Sequence, residues 1–173
     1  MRRVTLITTG GTIEKVYDPG TGALVNRRSI VRQMLARLQL EDTAVSCVEL
    51  MSKDSLDMTE DDRRRVIEAV RGALAAVPAP DGVVILHGTD TLAVTGERLH
   101  AAFPSPPAPI VLTGAMRPFE LKRSDALQNL TEALLASSLV PPGVYCAAHG
   151  RVLRFPGVTK DRERGTFRPA PAG

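Results

Sequence analysis

Short apolar runs, each closed by glycine or a polar turn, alternate along this chain with stretches in which apolar residues recur every third or fourth position. Val4-Thr5-Leu6-Ile7-Thr8 ends in Thr9-Gly10-Gly11-Thr12, and Val83-Val84-Ile85-Leu86 ends in His87-Gly88-Thr89-Asp90-Thr91. Runs this short and this rich in β-branched residues predict buried strands of a parallel sheet. Ala44 to Leu50 and Ile110-Val111-Leu112-Thr113 read as two more strands, the second closing in Gly114-Ala115-Met116-Arg117-Pro118. Val144 to Ala148, a turn at His149-Gly150 and Val152 to Phe155 predict a hairpin near the C-terminus.

The intervening stretches read as helices. Ser29 is placed to cap one that carries Ile30, Val31, Met34, Leu35 and Leu38 on a single face. Thr59 with Asp62 three residues on has the form of a capping box, and the apolar stripe that follows is Val66, Ile67, Val70, Leu74 and Val77. A short helix is predicted around Glu97 to Ala102, and Ser124 caps another carrying Leu127, Leu130, Leu134 and Leu135. Asp18-Pro19-Gly20-Thr21-Gly22 reads as loop, and the Pro/Ala-rich tail from Arg168 to Gly173 reads as frayed. Strands alternating with helices predict an α/β fold, a mostly parallel sheet with helices on both faces. With 173 residues and no linker, the expected organisation is one domain over residues 1–167 and a tail over 168–173.

Composition narrows the function classes. Net charge is +3 and aromatics are 3%, so a stacking platform for nucleic acid is missing. Arg63-Arg64-Arg65 follows Thr59-Glu60-Asp61-Asp62 and reads as a solvated helix face. No apolar run is long enough to cross a bilayer, and Met1-Arg2-Arg3 leads straight into a strand. The expected setting is cytoplasmic, with neither nucleic acid nor membrane as partner. Cys47 and Cys146 fit buried, reduced thiols, and the three histidines lack metal-ligand spacing. No nucleotide-binding glycine pattern occurs. No metal and no organic cofactor are expected.

In a parallel sheet, ligands gather outside the carboxyl ends of the strands. The turns Thr9–Thr12, Asp54-Ser55, Thr89-Asp90 and Thr113–Arg117 would then face one crevice, joined by Thr159-Lys160-Asp161 after the hairpin. Such a set suits hydroxyl chemistry. Hydrolysis of an amide through a covalent intermediate needs a nucleophile, a group to take its proton and donors for the oxyanion. Glycine beside a nucleophile lets backbone N–H groups approach the substrate. Taken singly, Thr12 also fits the closing residue of a glycine turn, Thr89-Asp90 a helix cap, Lys160 a solvated lysine and Ser55 a turn residue.

The stretches Thr8–Ile13, His87–Leu92, Leu112–Pro118, Ser124-Asp125 with Asn129-Leu130, and Val158-Thr159-Lys160 together resemble the bacterial-type (type I and II) L-asparaginases, over their N-terminal domain from about residue 4 to residue 167. The smaller C-terminal domain of such enzymes has no counterpart here, so the resemblance implies a short, single-domain form. It also implies roles. Thr12 would be the nucleophile that forms the acyl-enzyme. Thr89 and Lys160 would handle the proton, with Asp90 hydrogen-bonded beside them and holding the substrate α-ammonium. Ser55 and the backbone from Gly88 to Asp90 would hold the α-carboxylate, and the Ala115 carbonyl would accept from the side-chain amide. Tyr17 would be the assisting loop tyrosine.

Two departures stand out. Leu56 occupies a position where many relatives carry a glutamine, and the acidic residue that a neighbour's C-terminal domain supplies to the ammonium is missing. Weak substrate affinity with chemistry preserved is the expected consequence. The function implied is L-asparagine hydrolysis to L-aspartate and ammonia, with L-asparagine as small-molecule partner and a homodimer or homotetramer as assembly. The alternatives are an amidase for glutamine or another amide, including a component of an amidotransferase acting on charged tRNA, and a catalytically silent amino-acid sensor.

Overall fold

In β1 (Arg2–Gly10), Val4 and Leu6 face one layer of the molecule and Ile7 the other, because side chains alternate along a strand. The structure, a computed structural model, describes residues 1–171. After β1 come β2 (Val16–Asp18), β3 (Ala23–Val25), α1 (Val31–Leu35), β4 (Thr43–Lys53), α2 (Glu60–Leu74) and β5 (Gly82–Leu86). Then follow α3 (Leu92–Ala102), β6 (Ile110–Thr113), α4 (Ala126–Leu139), β7 (Val144–Ala148), β8 (Arg151–Arg154), β9 (Val158–Asp161) and β10 (Thr166–Pro169).

The main sheet has the order β4-β1-β5-β6-β7-β8, parallel except that β8 returns antiparallel to β7 as the predicted hairpin. On one face Leu6, Leu86 and Val111 pack with Met34 of α1 and Leu130 and Leu134 of α4. On the other, Ile7, Ile85 and Leu112 pack with Val66 and Val70 of α2, Leu92 and Leu99 of α3, and Phe155. The α/β class and the mostly parallel sheet covered on both faces stand as expected. Among the described residues no helix is long and apolar enough to cross a membrane.

Several local expectations are corrected. Residues 19–22 form the turn expected there, but the strands on either side were not foreseen: β2 and β3 pair antiparallel, Val16 opposite Val25, and the Gly20 N–H bonds to Asp18. The tail is not frayed from Arg168, since Arg168 and Pro169 pair with Thr159 and Val158 in the β9–β10 ribbon. Ala170 N–H also donates to the Gly157 carbonyl, while residues 172 and 173 lie outside the described residues. Ser29 does not cap α1 as predicted. It lies one residue before the N-cap Ile30, where its hydroxyl accepts from Val31 N–H at 3.3 Å and also donates to Glu14, and the helix spans only Val31–Leu35.

The capping box of α2 is present, with Thr59 Oγ1 accepting from Asp62 N–H and Asp62 accepting from Thr59 N–H. Val77 lies beyond that helix and is exposed, and Leu135 faces solvent from α4. Arg63 is buried rather than part of a solvated arginine face, its stem lying along the helix beside Glu60. Cys146 is buried, and burial pushes its thiol far up. Cys47, on the edge strand β4, is only half-buried.

Candidate active site

Parallel neighbours carry their carboxyl ends to one edge, so the turns after β1, β5 and β6 meet there. The register of β4 against β1 slips between Thr8 and Gly10, which brings Lys53 opposite Gly10 and lets Gly11 N–H donate to the Lys53 carbonyl at 2.8 Å. Thr9 Oγ1 donates to the Leu86 carbonyl at 2.8 Å and ties the β1 turn to β5. Gly11, at φ 81°, lies directly on the Gly88 backbone, where a β-carbon would overlap. Gly88 in turn abuts Ser55, whose hydroxyl a β-carbon on Gly88 would strike. Only glycine permits three turns to close this tightly. Thr12 opens the 3-10 turn Thr12–Glu14 at this junction. It is half-buried, and among the described residues no group hydrogen-bonds its hydroxyl.

The charged part of the site comes from β9. Lys160 Nζ donates to Thr89 Oγ1 at 2.8 Å and to Asp90 Oδ1 at 3.1 Å. Arg162, at the start of the β9–β10 turn, donates to the same Asp90 oxygen at 2.7 Å. Burial works to raise the Asp90 carboxyl, but the hydrogen bonds from Lys160 and Arg162 outweigh it and hold the group below the usual carboxylate range. A second pair, Lys15 with Asp54 at 2.7 Å, stands nearby. The hydrogen bond from Lys15, helped by Leu56 N–H and the field of Lys160, keeps Asp54 low as well. Ser55 is buried, accepts from Thr91 N–H at 3.3 Å, and its carbonyl accepts from Thr91 Oγ1 at 2.8 Å.

A layer of buried polar groups holds these turns from behind. His87 is fully buried, and burial pushes its imidazole down to about 4, so the ring is neutral. Nδ1 faces the Gly88 carbonyl and Nε2 the Thr95 hydroxyl, both at 2.8 Å. A carbonyl only accepts, which places the ring proton on Nδ1. Asn129 Nδ2 donates to the Gly114 carbonyl at 2.8 Å, and Asp125 accepts from Met116 and Arg117 N–H at 2.9 and 3.0 Å. Ala115, itself buried, is therefore pinned on both sides.

Of the residues singled out in the sequence, Thr89, Asp90 and Lys160 are in direct contact, and Ser55, Gly88 and the Thr12 turn adjoin them. Ala115 lies in the turn two residues past the end of β6. Tyr17 is different. It is exposed on β2, its N–H donates to Glu120, and its cleft is shared with Pro19, Phe119 and Leu121. It hydrogen-bonds none of the other site residues. Sequence reasoning missed Arg162, which lies just past the end of β9 and reaches the site only through the course of the turn. It also missed Glu14, whose side chain is buried and accepts from Gly10 N–H at 3.1 Å and Ile30 N–H at 3.3 Å. A glutamate within a glycine turn carries no sequence sign of burial.

The family model described as "Asparaginase, N-terminal" matches residues 3–168. An L-asparaginase of Thermococcus kodakarensis is 33% identical over 165 residues, covering 94% of this chain and 49% of that protein. A component of the Glutamyl-tRNA(Gln) amidotransferase of Aeropyrum pernix is 35% identical over 149 residues, covering 80% of this chain and 33% of that protein. The solved structure of the thermostable L-asparaginase from Thermococcus kodakarensis superposes with a TM-score of 0.86 at 29% identity, over 99% of this chain and 52% of that one. The chain spans about half or less of the length of these curated relatives.

Proposed function

Since the chain belongs to the asparaginase family, matching its N-terminal domain, we propose that it hydrolyses L-asparagine to L-aspartate and ammonia by double displacement. The observation that carries this reading is the contact of Lys160 Nζ with Thr89 Oγ1, made where the glycine turns bring Thr12 to the same edge of the sheet.

Thr12 Oγ1 attacks the side-chain amide carbon. Its proton passes through Thr89 and Lys160 to the leaving nitrogen, which departs as ammonia and leaves an ester on Thr12. Water then attacks that ester, and the same pair returns a proton to Thr12 as aspartate leaves. The donors for the developing oxyanion are backbone N–H groups of the glycine turns other than that of Gly11, which is given to the Lys53 carbonyl. Ser55 and the Gly88–Asp90 backbone hold the α-carboxylate, Asp90 the α-ammonium, and the Ala115 carbonyl the amide N–H. Tyr17 reaches the substrate only if the β2–β3 hairpin folds inward. The assembly is a homodimer or homotetramer, and the setting cytoplasmic.

The similarity to the amidotransferase component favours one second reading, the same chemistry with glutamine as the amide donor. Ammonia release from L-asparagine and from L-glutamine by the purified chain, with Thr12→Ala as blank, tests both. Asparagine turnover that vanishes in the variant supports the first reading. Turnover of glutamine alone supports the second. Binding of asparagine without ammonia release overturns both in favour of a sensor.

A further inference from the structure

We propose that Arg162 is a substrate-binding residue that takes the α-carboxylate of the amide substrate. This rests on the function proposed above and adds a specificity-determining contact to it.

Lys160 lies on β9 and Arg162 in the turn just past its end, and the fold turns both side chains toward Asp90. Both reach Asp90, and both contacts fall on Oδ1. Among the described residues nothing engages Oδ2, which is left for a cationic group of a ligand. The two cations differ in what they have left to offer. Lys160 is 16% exposed and gives two of its three N–H groups to Thr89 and Asp90. Arg162 is 69% exposed and spends one N–H direction on Asp90. A guanidinium carries five N–H donors in a rigid fork suited to a carboxylate.

Charge points the same way. Lys15 and Asp54 neutralise each other, while Lys160 and Arg162 share one carboxylate. The uncompensated positive charge therefore sits at the exposed rim, on Arg162. The turn that carries it is fixed from its other side, where Asp161 accepts from Arg164 N–H at 3.0 Å and lies 3.4 Å from Arg168 Nε. An α-amino acid bears its ammonium and carboxylate on one carbon. Asp90 Oδ2 and the adjoining Arg162 fork offer a matching pair of charges, both supplied by this chain.

If Arg162 only braced Asp90 as an exposed ion pair, its loss would weaken every ligand of Asp90 alike and by little. Binding of L-aspartate and of 3-aminopropanoate, which lacks only the α-carboxylate, therefore separates the roles. Calorimetric titration of wild type and Arg162→Met should show about tenfold weaker L-aspartate binding in the variant, with 3-aminopropanoate changed by less than about twofold. Arg162→Lys should recover part of the loss. KM for L-asparagine should rise in parallel with kcat nearly constant. Equal L-aspartate affinity in wild type and Arg162→Met, or equal weakening of both ligands, overturns the inference. A chain that binds L-aspartate through Arg162 yet releases no ammonia overturns the hydrolase reading and leaves this contact standing.

Discussion

His149 Nε2 stands 2.7 Å from Asp125 Oδ2, and the same carboxylate holds the backbone N–H groups of Met116 and Arg117 just beyond Ala115. The carboxylate only accepts, so Nε2 carries a proton, and Nδ1 stands 2.9 Å from Thr166 Oγ1. One side chain thus links the β6 turn, the start of α4 and the β9–β10 ribbon.

Asp125→Ala should cost about 2–3 kcal/mol in urea denaturation, because two backbone donors and an imidazole lose their acceptor together. Burial works to raise the Asp125 carboxyl, but the bonds from Met116, His149 and Arg117 outweigh it and the group lies low. A carboxyl depressed in the folded state stabilises above its unfolded pKa, and that contribution is lost as pH falls through the folded value. The wild type should therefore lose stability in acid more steeply than Asp125→Ala. Parallel acid-denaturation curves would count against the assignment.

Lys160→Met removes the donor to Thr89 Oγ1 and leaves Asp90 paired with Arg162. Ammonia release should fall roughly a thousandfold, as expected when the proton-handling group of an activated hydroxyl is removed. The melting temperature should stay within a few degrees, because β9 keeps its pairing with β10. Near-normal turnover in this variant would remove Lys160 from the chemistry.

The inner strands β5, β6 and β7 are legible in the sequence because both their faces are buried, which demands continuous apolar runs such as Val83–Leu86. Thr59 and Asp62 are legible because a capping box is a local device. The β2–β3 and β9–β10 pairs are not. They are three or four residues long and half polar, and their stability comes from contacts such as Phe167 in the core, far away in sequence. Thr89, Asp90 and Lys160 come together in the fold through a separation of some seventy residues, and only the motif resemblance, not any local pattern, links them beforehand. Glu14 is hidden for a related reason, since its burial depends on α1 closing over it through Ser29 and Ile30.

Gly11→Ala should be among the most damaging single changes at the site. The residue sits at φ 81°, which an L side chain rarely adopts, and its β-carbon would overlap the Gly88 backbone. Strain and displacement together should cost about 3 kcal/mol or more. The two turns would also part, so activity should fall beyond what partial unfolding explains. Comparing the folded fraction with kcat at one temperature checks this, and activity that simply tracks folded fraction would refute it.

Glu14 supplies the test with the clearest pH signature. Burial raises its carboxyl to about 7, and the hydrogen bonds from Ser29, Gly10 and Ile30 pull it down only in part. The folded chain therefore holds this proton more tightly than the unfolded chain does. The stabilisation from a neutral Glu14 is complete below the unfolded value, near 4.5, and is lost as pH rises through about 7. The full effect amounts to about 3 kcal/mol. Glu14→Gln mimics the neutral acid and keeps an acceptor for the backbone donors. The wild type should lose melting temperature between pH 5 and pH 8, and the variant should lose much less. Equal slopes of melting temperature against pH in the two proteins would show that Glu14 does not titrate in this range.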